Sequence, residues 1–213
     1  HEHTGLLLER GPGEYGFIHL TFEEYLAGVA IALRGQGNVD TLMANIQPYV
    51  GKAAWNEVLL LSLGYLGFVQ QLDQVAGEVL DRLTQSGAAA AVILAGDAAT
   101  DIQNGGLHPD RCRRIQTTLL AVMTGTEPPP LRARAGATLA RLGDPRFRTD
   151  AFYLPDEPLL GFIHIPAGRF TMGSDKKKDP QAYDDEQPQH EVELGEYYIA
   201  RYPVTVAQFK AFV

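Results

Sequence analysis

The chain has 213 residues, 45% of them apolar, and a formal charge of -8, with a pI near 5.2. At roughly 100–200 residues per domain it holds one or two domains, and its acidity argues against a nucleic-acid-binding domain, which carries a basic footprint. Cys112 is the only cysteine, so no intrachain disulfide can form. No run approaches the ~20 apolar residues of a membrane span. His1-Glu2-His3-Thr4-Gly5 lacks the basic-then-apolar order of a signal peptide, so no membrane partner and a cytoplasmic setting are expected.

The first segment predicts a β-hairpin: Leu6 to Arg10, a turn at Gly11-Pro12-Gly13-Glu14, then Tyr15 to Leu20. The period then changes. Thr21-Phe22-Glu23-Glu24 has the form of a capping box, and Phe22, Tyr25, Leu26, Val29, Ala30 and Leu33 recur at helical spacing until Gly35 and Gly37.

From Val39 to about Gly143 the pattern is helical throughout. Expected helices are Val39 to Tyr49, Ala53 to Leu66, Leu72 to Gln85, Ala88 to Ala98, Arg111 to Met123 and Leu131 to Leu142. Gly51, Gly67, Asn104-Gly105-Gly106 and Glu127-Pro128-Pro129-Pro130 punctuate them. Short helices with brief connections imply stacked pairs, an α-solenoid or an irregular bundle. Arg111, Arg113 and Arg114 form one basic cluster and Arg132, Arg134 and Arg141 another; in so acidic a chain they read as solvated helix faces rather than a nucleic-acid groove.

Pro155-Asp156-Glu157-Pro158 reads as a linker. Strands are expected at Phe162 to Ile165, Arg169 to Gly173, His190 to Leu194 and Tyr197 to Ala200, with a turn at Pro166-Ala167-Gly168 and a polar excursion from Ser174 to Gln189. Thr205-Val206-Ala207-Gln208 is a second capping box and opens a last helix. Asp184, Asp185 and Glu186 are hard oxygen donors, but consecutive carboxylates do not converge on one ion, and Lys176-Lys177-Lys178 lie nearby to offset them, so no metal site is expected.

Phe17-Ile18-His19-Leu20-Thr21-Phe22-Glu23-Glu24-Tyr25-Leu26-Ala27-Gly28 resembles the end of the winged-helix domain of NACHT-type STAND NTPases. Trp55 to Leu61 and Gly64-Tyr65-Leu66 are similar to the helical segment that follows it in bacterial members, and Leu131 to Arg146 resembles a HEAT-like repeat helix. The resemblance implies that His19 contacts the phosphates of bound ADP in the intact parent protein and helps hold a closed state. An imidazole N–H can donate to phosphate oxygen. Hydrolysis would need a Gly-rich phosphate loop with its Lys and an acidic Mg²⁺ partner. No Gly-x-x-x-x-Gly-Lys-Ser/Thr occurs here, so ATP or ADP with Mg belongs to the parent and no cofactor to this chain.

Ile163-His164-Ile165-Pro166-Ala167-Gly168-Arg169-Phe170-Thr171-Met172-Gly173-Ser174, Asp185 to Val192, Tyr198 to Thr205 and Gln208-Phe209 resemble, in this order, the opening of formylglycine-generating-enzyme-like (sulfatase-modifying-factor) domains, a variety of the C-type-lectin-like fold. Catalytic members oxidise a substrate cysteine with a cysteine pair and copper in a later part of the domain. Other relatives are ergothioneine-type non-haem iron enzymes or ligand-display domains. Cys112 matches no catalytic position, and no catalytic residue is expected in this chain.

The two resemblances imply a multidomain, mainly α chain followed by an incomplete α+β C-type-lectin-like domain. The expected parts are a winged-helix end at 1–36, HEAT-like helical repeats at 37–148, a linker at 149–160 and the first part of a formylglycine-generating-enzyme-like domain at 161–213. The function implied is that of a piece of a signalling or defence ATPase sensor whose C-terminal domain recognises a protein or small-molecule ligand, with self-assembly of the parent. The alternative is a formylglycine-generating or related metal-dependent oxidase with a helical N-terminal extension.

Overall fold

A computed structural model of the chain describes residues 6–35, 37–102 and 107–213. The expected break at Asn104-Gly105-Gly106 and the first five residues lie outside them. The chain divides into two units at Asp144/Pro145. The first is helical behind a hairpin; the second is a smaller α+β unit.

In the first unit, β1 (Leu7–Gly11) and β2 (Glu14–Phe17) pair antiparallel, with Gly13 at φ 80° in the turn. Helix α1 (Leu20–Gly35) starts one residue before Thr21. The expected cap at Thr21 is therefore not formed: the His19 carbonyl accepts from the Phe22 N–H at 3.2 Å, which draws Thr21 into the first turn. Asn38 caps α2 (Val39–Ile46) through Oδ1, which accepts from the Thr41 N–H at 2.9 Å.

The helix expected over Ala53 to Leu66 is more varied than its period suggests. A 3₁₀ turn at Ala53–Trp55 leads into α3 (Asn56–Gly64), which widens into a π-turn over Tyr65–Val69. The Gln70 N–H reaches back five residues to the Tyr65 carbonyl at 3.0 Å. Four more helices follow: α4 (Asp73–Gln85), α5 (Ala89–Ile102), α6 (Pro109–Thr124) and α7 (Pro129–Leu142). Proline opens the last two, where its missing N–H costs no helix bond.

These helices pack in two rows. In one row α1 touches α3, α3 touches α5 and α5 touches α7; in the other α2 touches α4 and α4 touches α6. Neighbours in sequence cross-link the rows, as α4 with α5 and α5 with α6. Helix α5 lies against α3, α4, α6 and α7 and is buried along most of its length. Its alanines 89, 91, 95, 98 and 99 let those neighbours approach. Leu42, Leu63, Leu80, Leu119 and Leu139 complete a single apolar core.

Ion pairs run along the rows. Asp40 of α2 takes Arg82 of α4 at 2.5 Å, Asp81 of α4 takes Arg111 and Arg114 of α6 at 3.0 and 2.9 Å, and Asp97 of α5 takes Arg141 of α7 at 2.6 Å. Arg111, Arg114 and Arg141, from the two basic clusters, thus tie helices together, whereas Arg113 pairs with Asp110 on its own helix and stays exposed. Burial pushes the Asp81 carboxyl up, but hydrogen bonds and charge from Arg111 and Arg114 outweigh it and hold it below the ordinary aspartate value. A carboxylate lowered on folding stabilises above its unfolded pKa of about 3.9 and loses that contribution as pH falls through the folded value. We therefore expect Asp81→Asn to be less stable than wild type by a constant margin above about pH 4, with the margin shrinking on further acidification. Urea denaturation from pH 2 to 7 checks this, and a margin that grows in acid refutes it.

In the second unit, β3 (Phe147–Arg148) pairs with β4 (Leu154–Pro155). Strands β5 (Phe162–Ile165) and β6 (Gly168–Met172) pair antiparallel with β8 (Tyr197–Ala200) and β7 (His190–Leu194), respectively. Both pairings keep one register, from Phe162↔Ala200 through Ile165↔Tyr197 to Gly168↔Leu194 and Met172↔His190. The expected turn at Pro166-Ala167-Gly168 is therefore an interruption in a two-stranded ribbon and not a reversal. Proline, lacking an N–H, breaks the ladder there. The chain reverses instead in the excursion from Ser174 to Gln189. Helix α8 (Val206–Phe212) starts at the expected capping box, with the Thr205 hydroxyl accepting from the Gln208 N–H at 3.2 Å and Gln208 Oε1 accepting from the Thr205 N–H at 2.8 Å.

Candidate functional site

His19 lies in the bend between β2 and α1, not on a strand. The ladder ends at Leu7↔Phe17, and the Ile18 N–H donates to the Leu6 carbonyl at 3.0 Å to close the hairpin. The His19 ring is exposed and tilts against Phe22, with centroids 6.2 Å apart. It adjoins the N-terminal end of a 16-residue helix, where free N–H groups and the helix dipole favour an anion. On the hairpin, Arg10 donates to the Phe17 carbonyl at 3.2 Å. The structure thus places an exposed imidazole immediately before the first turn of α1.

Cys112 is half-buried on α6. Burial pushes its thiol up, against a smaller pull down from the Arg113 charge. The thiol is therefore neutral and a poor nucleophile near pH 7.

In the second unit the acidic loop is hydrogen-bonded within itself. Asp184 pairs with Lys176. The Glu186 carbonyl accepts from the Ser174 N–H at 2.7 Å, and its carboxylate accepts from the Ser174 hydroxyl at 3.1 Å. Gly173 makes this closure possible: at φ 85°, a Cβ there would stand 2.7 Å from the Glu186 carbonyl oxygen and 2.8 Å from that of Pro188. The two histidines have separate partners, His164 facing Glu196 at 3.3 Å and His190 Nδ1 lying 2.8 Å from the Pro188 carbonyl. Among the described residues no three His, Cys, Asp or Glu side chains gather as metal ligands, and no helix is long and apolar enough to cross a membrane.

Sequence reasoning missed a groove of about 740 Å³ in this unit, lined by Phe147, Pro155, Glu157, Tyr202, Val204 and Gln208. Residues distant in sequence build it. Arg201 pairs with Glu157 at 3.1 Å, the Arg201 N–H donates to the Gly161 carbonyl at 2.9 Å, and Gln208 donates to the Tyr153 carbonyl at 3.1 Å. Tyr202-Pro203-Val204-Thr205, read above for its resemblance and for the cap at Thr205, also lines this groove.

Residues 149–213 match the family model of the sulfatase-modifying factor enzyme 1-like domain. Over 51 residues the chain is 37% identical to hercynine oxygenase of Mycolicibacterium smegmatis, a stretch that is 24% of this chain and 12% of that protein. The chain thus spans a small part of the curated relative it matches. No solved structure matches it. The ribbon, the closed loop and the capped last helix accordingly belong to a sulfatase-modifying factor enzyme 1-like domain at residues 149–213.

Proposed function

We propose that this chain is part of a nucleotide-switched sensor of the NACHT-type STAND kind, in which the formylglycine-generating-enzyme-like domain, of C-type-lectin-like fold, recognises a protein or small-molecule ligand. The observation that carries this reading is the packing of α1 on α3. The segments that resemble that family, Phe17 to Gly28 and Trp55 to Leu61 with Gly64-Tyr65-Leu66, meet where α1 packs on α3: Gly28 lies so close to α3 that a Cβ would be 2.9 Å from the Val58 carbonyl and 3.0 Å from the Ser62 nitrogen. The two helix rows behind them fit a solenoid-like repeat region, in which each helix contacts the next but one. In such a cytoplasmic protein the helices couple ligand recognition to the nucleotide state, and the open parent self-assembles.

His19 is the chain's contribution to nucleotide binding, as a donor to the phosphates of ADP at the head of α1. ATP or ADP with Mg²⁺ is held mainly by residues elsewhere in the parent. Purified full-length protein is expected to retain ADP, and His19→Ala to retain about tenfold less, as for loss of one hydrogen bond to a charged group. Equal retention by both, read by chromatography of released nucleotide, overturns the assignment.

The match to hercynine oxygenase favours a second reading, a formylglycine-generating or related metal-dependent oxidase with a helical extension. Full-length protein that carries no nucleotide, but consumes oxygen with a thiol substrate and metal, would establish it instead.

A further inference from the structure

A pocket of about 330 Å³ opens on the helical unit between α1 and the end of α2, its lining residues drawn from Ala27 to Trp55. Ala27 and Ala30 of α1 and Ala44 of α2 line it, and their small side chains leave the space. Trp55 also lines it, stacked on Tyr49 with ring centroids 3.8 Å apart; Lys52 lies 5.4 Å from the Tyr49 centroid. The polar lining residues are Arg34 and Asn45, and no carboxylate is among them.

Arg34 is the informative residue. Among the described residues it alone of the arginines makes no hydrogen bond or ion pair with the protein. Its place in the last turn of α1 suits the negative end of the helix dipole. That accounts for a positive charge there, but its planar donors still face no acceptor. In a chain of charge -8, where other guanidiniums find carboxylates or carbonyls, an unpaired one beside an indole and an acid-free pocket has the chemistry of an anion site. The Asn45 amide can add a second donor. The volume is near the low end of the roughly 300–1,000 Å³ usual for small-molecule sites, which suits a single ring.

We propose that this pocket binds a small aromatic anion, with a planar ring against Trp55 and a carboxylate or phosphate on Arg34. Trp55 is the only tryptophan of the chain, so its fluorescence reports on the pocket directly. Titrating the 213-residue chain with benzoate, and separately with phenyl phosphate, should give a saturable change in emission. Benzyl alcohol, which keeps the ring and loses the charge, should bind about tenfold more weakly, and inorganic phosphate should leave the emission unchanged. Arg34→Gln alters an exposed side chain and should keep the circular dichroism of wild type while weakening benzoate by about tenfold. Ala30→Leu, which fills the space, should abolish the response. The proposal is overturned if neither anion changes the emission, if Arg34→Gln responds as wild type does, if benzyl alcohol binds as well as benzoate, or if inorganic phosphate reproduces the effect of phenyl phosphate.

Discussion

Replacing Gly28 with valine is expected to lower the stability of the helical unit by about 3 kcal/mol, because overpacking here meets backbone and not a movable side chain. A Cβ at this position would stand 2.9 Å from the Val58 carbonyl, 3.0 Å from the Ser62 nitrogen and 3.1 Å from the Leu61 Cβ. Helix α3 cannot turn a carbonyl or an amide aside without breaking its own ladder, so α1 must move away from it. Retreat would loosen the contacts around buried Ala32, Leu59 and Leu63. Gly28→Ala separates the two effects. Alanine gains about 1 kcal/mol of helix propensity over glycine, which offsets part of the smaller clash. Urea denaturation followed by helical circular dichroism should therefore rank wild type first, alanine second and valine well below. A valine variant as stable as wild type would mean that α1 and α3 do not approach as described.

Loss of the Asp97 carboxylate should be nearly as damaging. Asp97 sits in α5 with its side chain 9% exposed, accepting from the Thr138 hydroxyl and from Arg141, each at 2.6 Å, with Arg134 at 3.7 Å. The arginines are half-exposed and can turn to water, but the Thr138 hydroxyl, on a residue 2% exposed, cannot. Asp97→Ala therefore removes charge-assisted bonds and strands a buried donor, at about 2–3 kcal/mol. The diagnostic comparison is a double variant. Thr138→Val with Asp97→Leu removes both polar partners, and its loss should be smaller than the sum of the single losses. Simple additivity in denaturant titrations would refute a direct bond between the two side chains.

Most of the helical unit was legible in the sequence because its signals are local. Apolar spacing and the Gly and Pro breaks marked the helices, and the box at Thr205 marked the start of α8 to the residue. Signals that mislead are those in which a distant contact decides. Thr21 has the sequence of a cap, yet the hairpin delivers the chain so that His19 takes that place. Pro166-Ala167-Gly168 has turn chemistry, but pairing with residues about thirty positions on keeps the arm running through it. Tyr65 to Val69 continues an apolar helical pattern that carries no mark of the π-turn closed there by the Gln70 N–H on the Tyr65 carbonyl. His19 is singled out by resemblance alone, since a histidine after a strand is in itself a weak signal. The C-terminal groove and the Arg34 pocket were illegible because each joins residues whose adjacency only the fold creates.

The uninterrupted register of the ribbon has a consequence for how this domain can diverge. In a ladder, a one-residue insertion turns every later side chain to the opposite face. Here both arms are counted from the same pairs, and their reversal is an excursion whose ends are fastened at Gly173, Ser174 and Glu186. Residues gained or lost between Ser174 and Glu186 leave that count untouched. The stretch from Asp175 to Asp185 is thus a reservoir of tolerated variation, where lineages can differ in length and charge while the strands on either side stay in step.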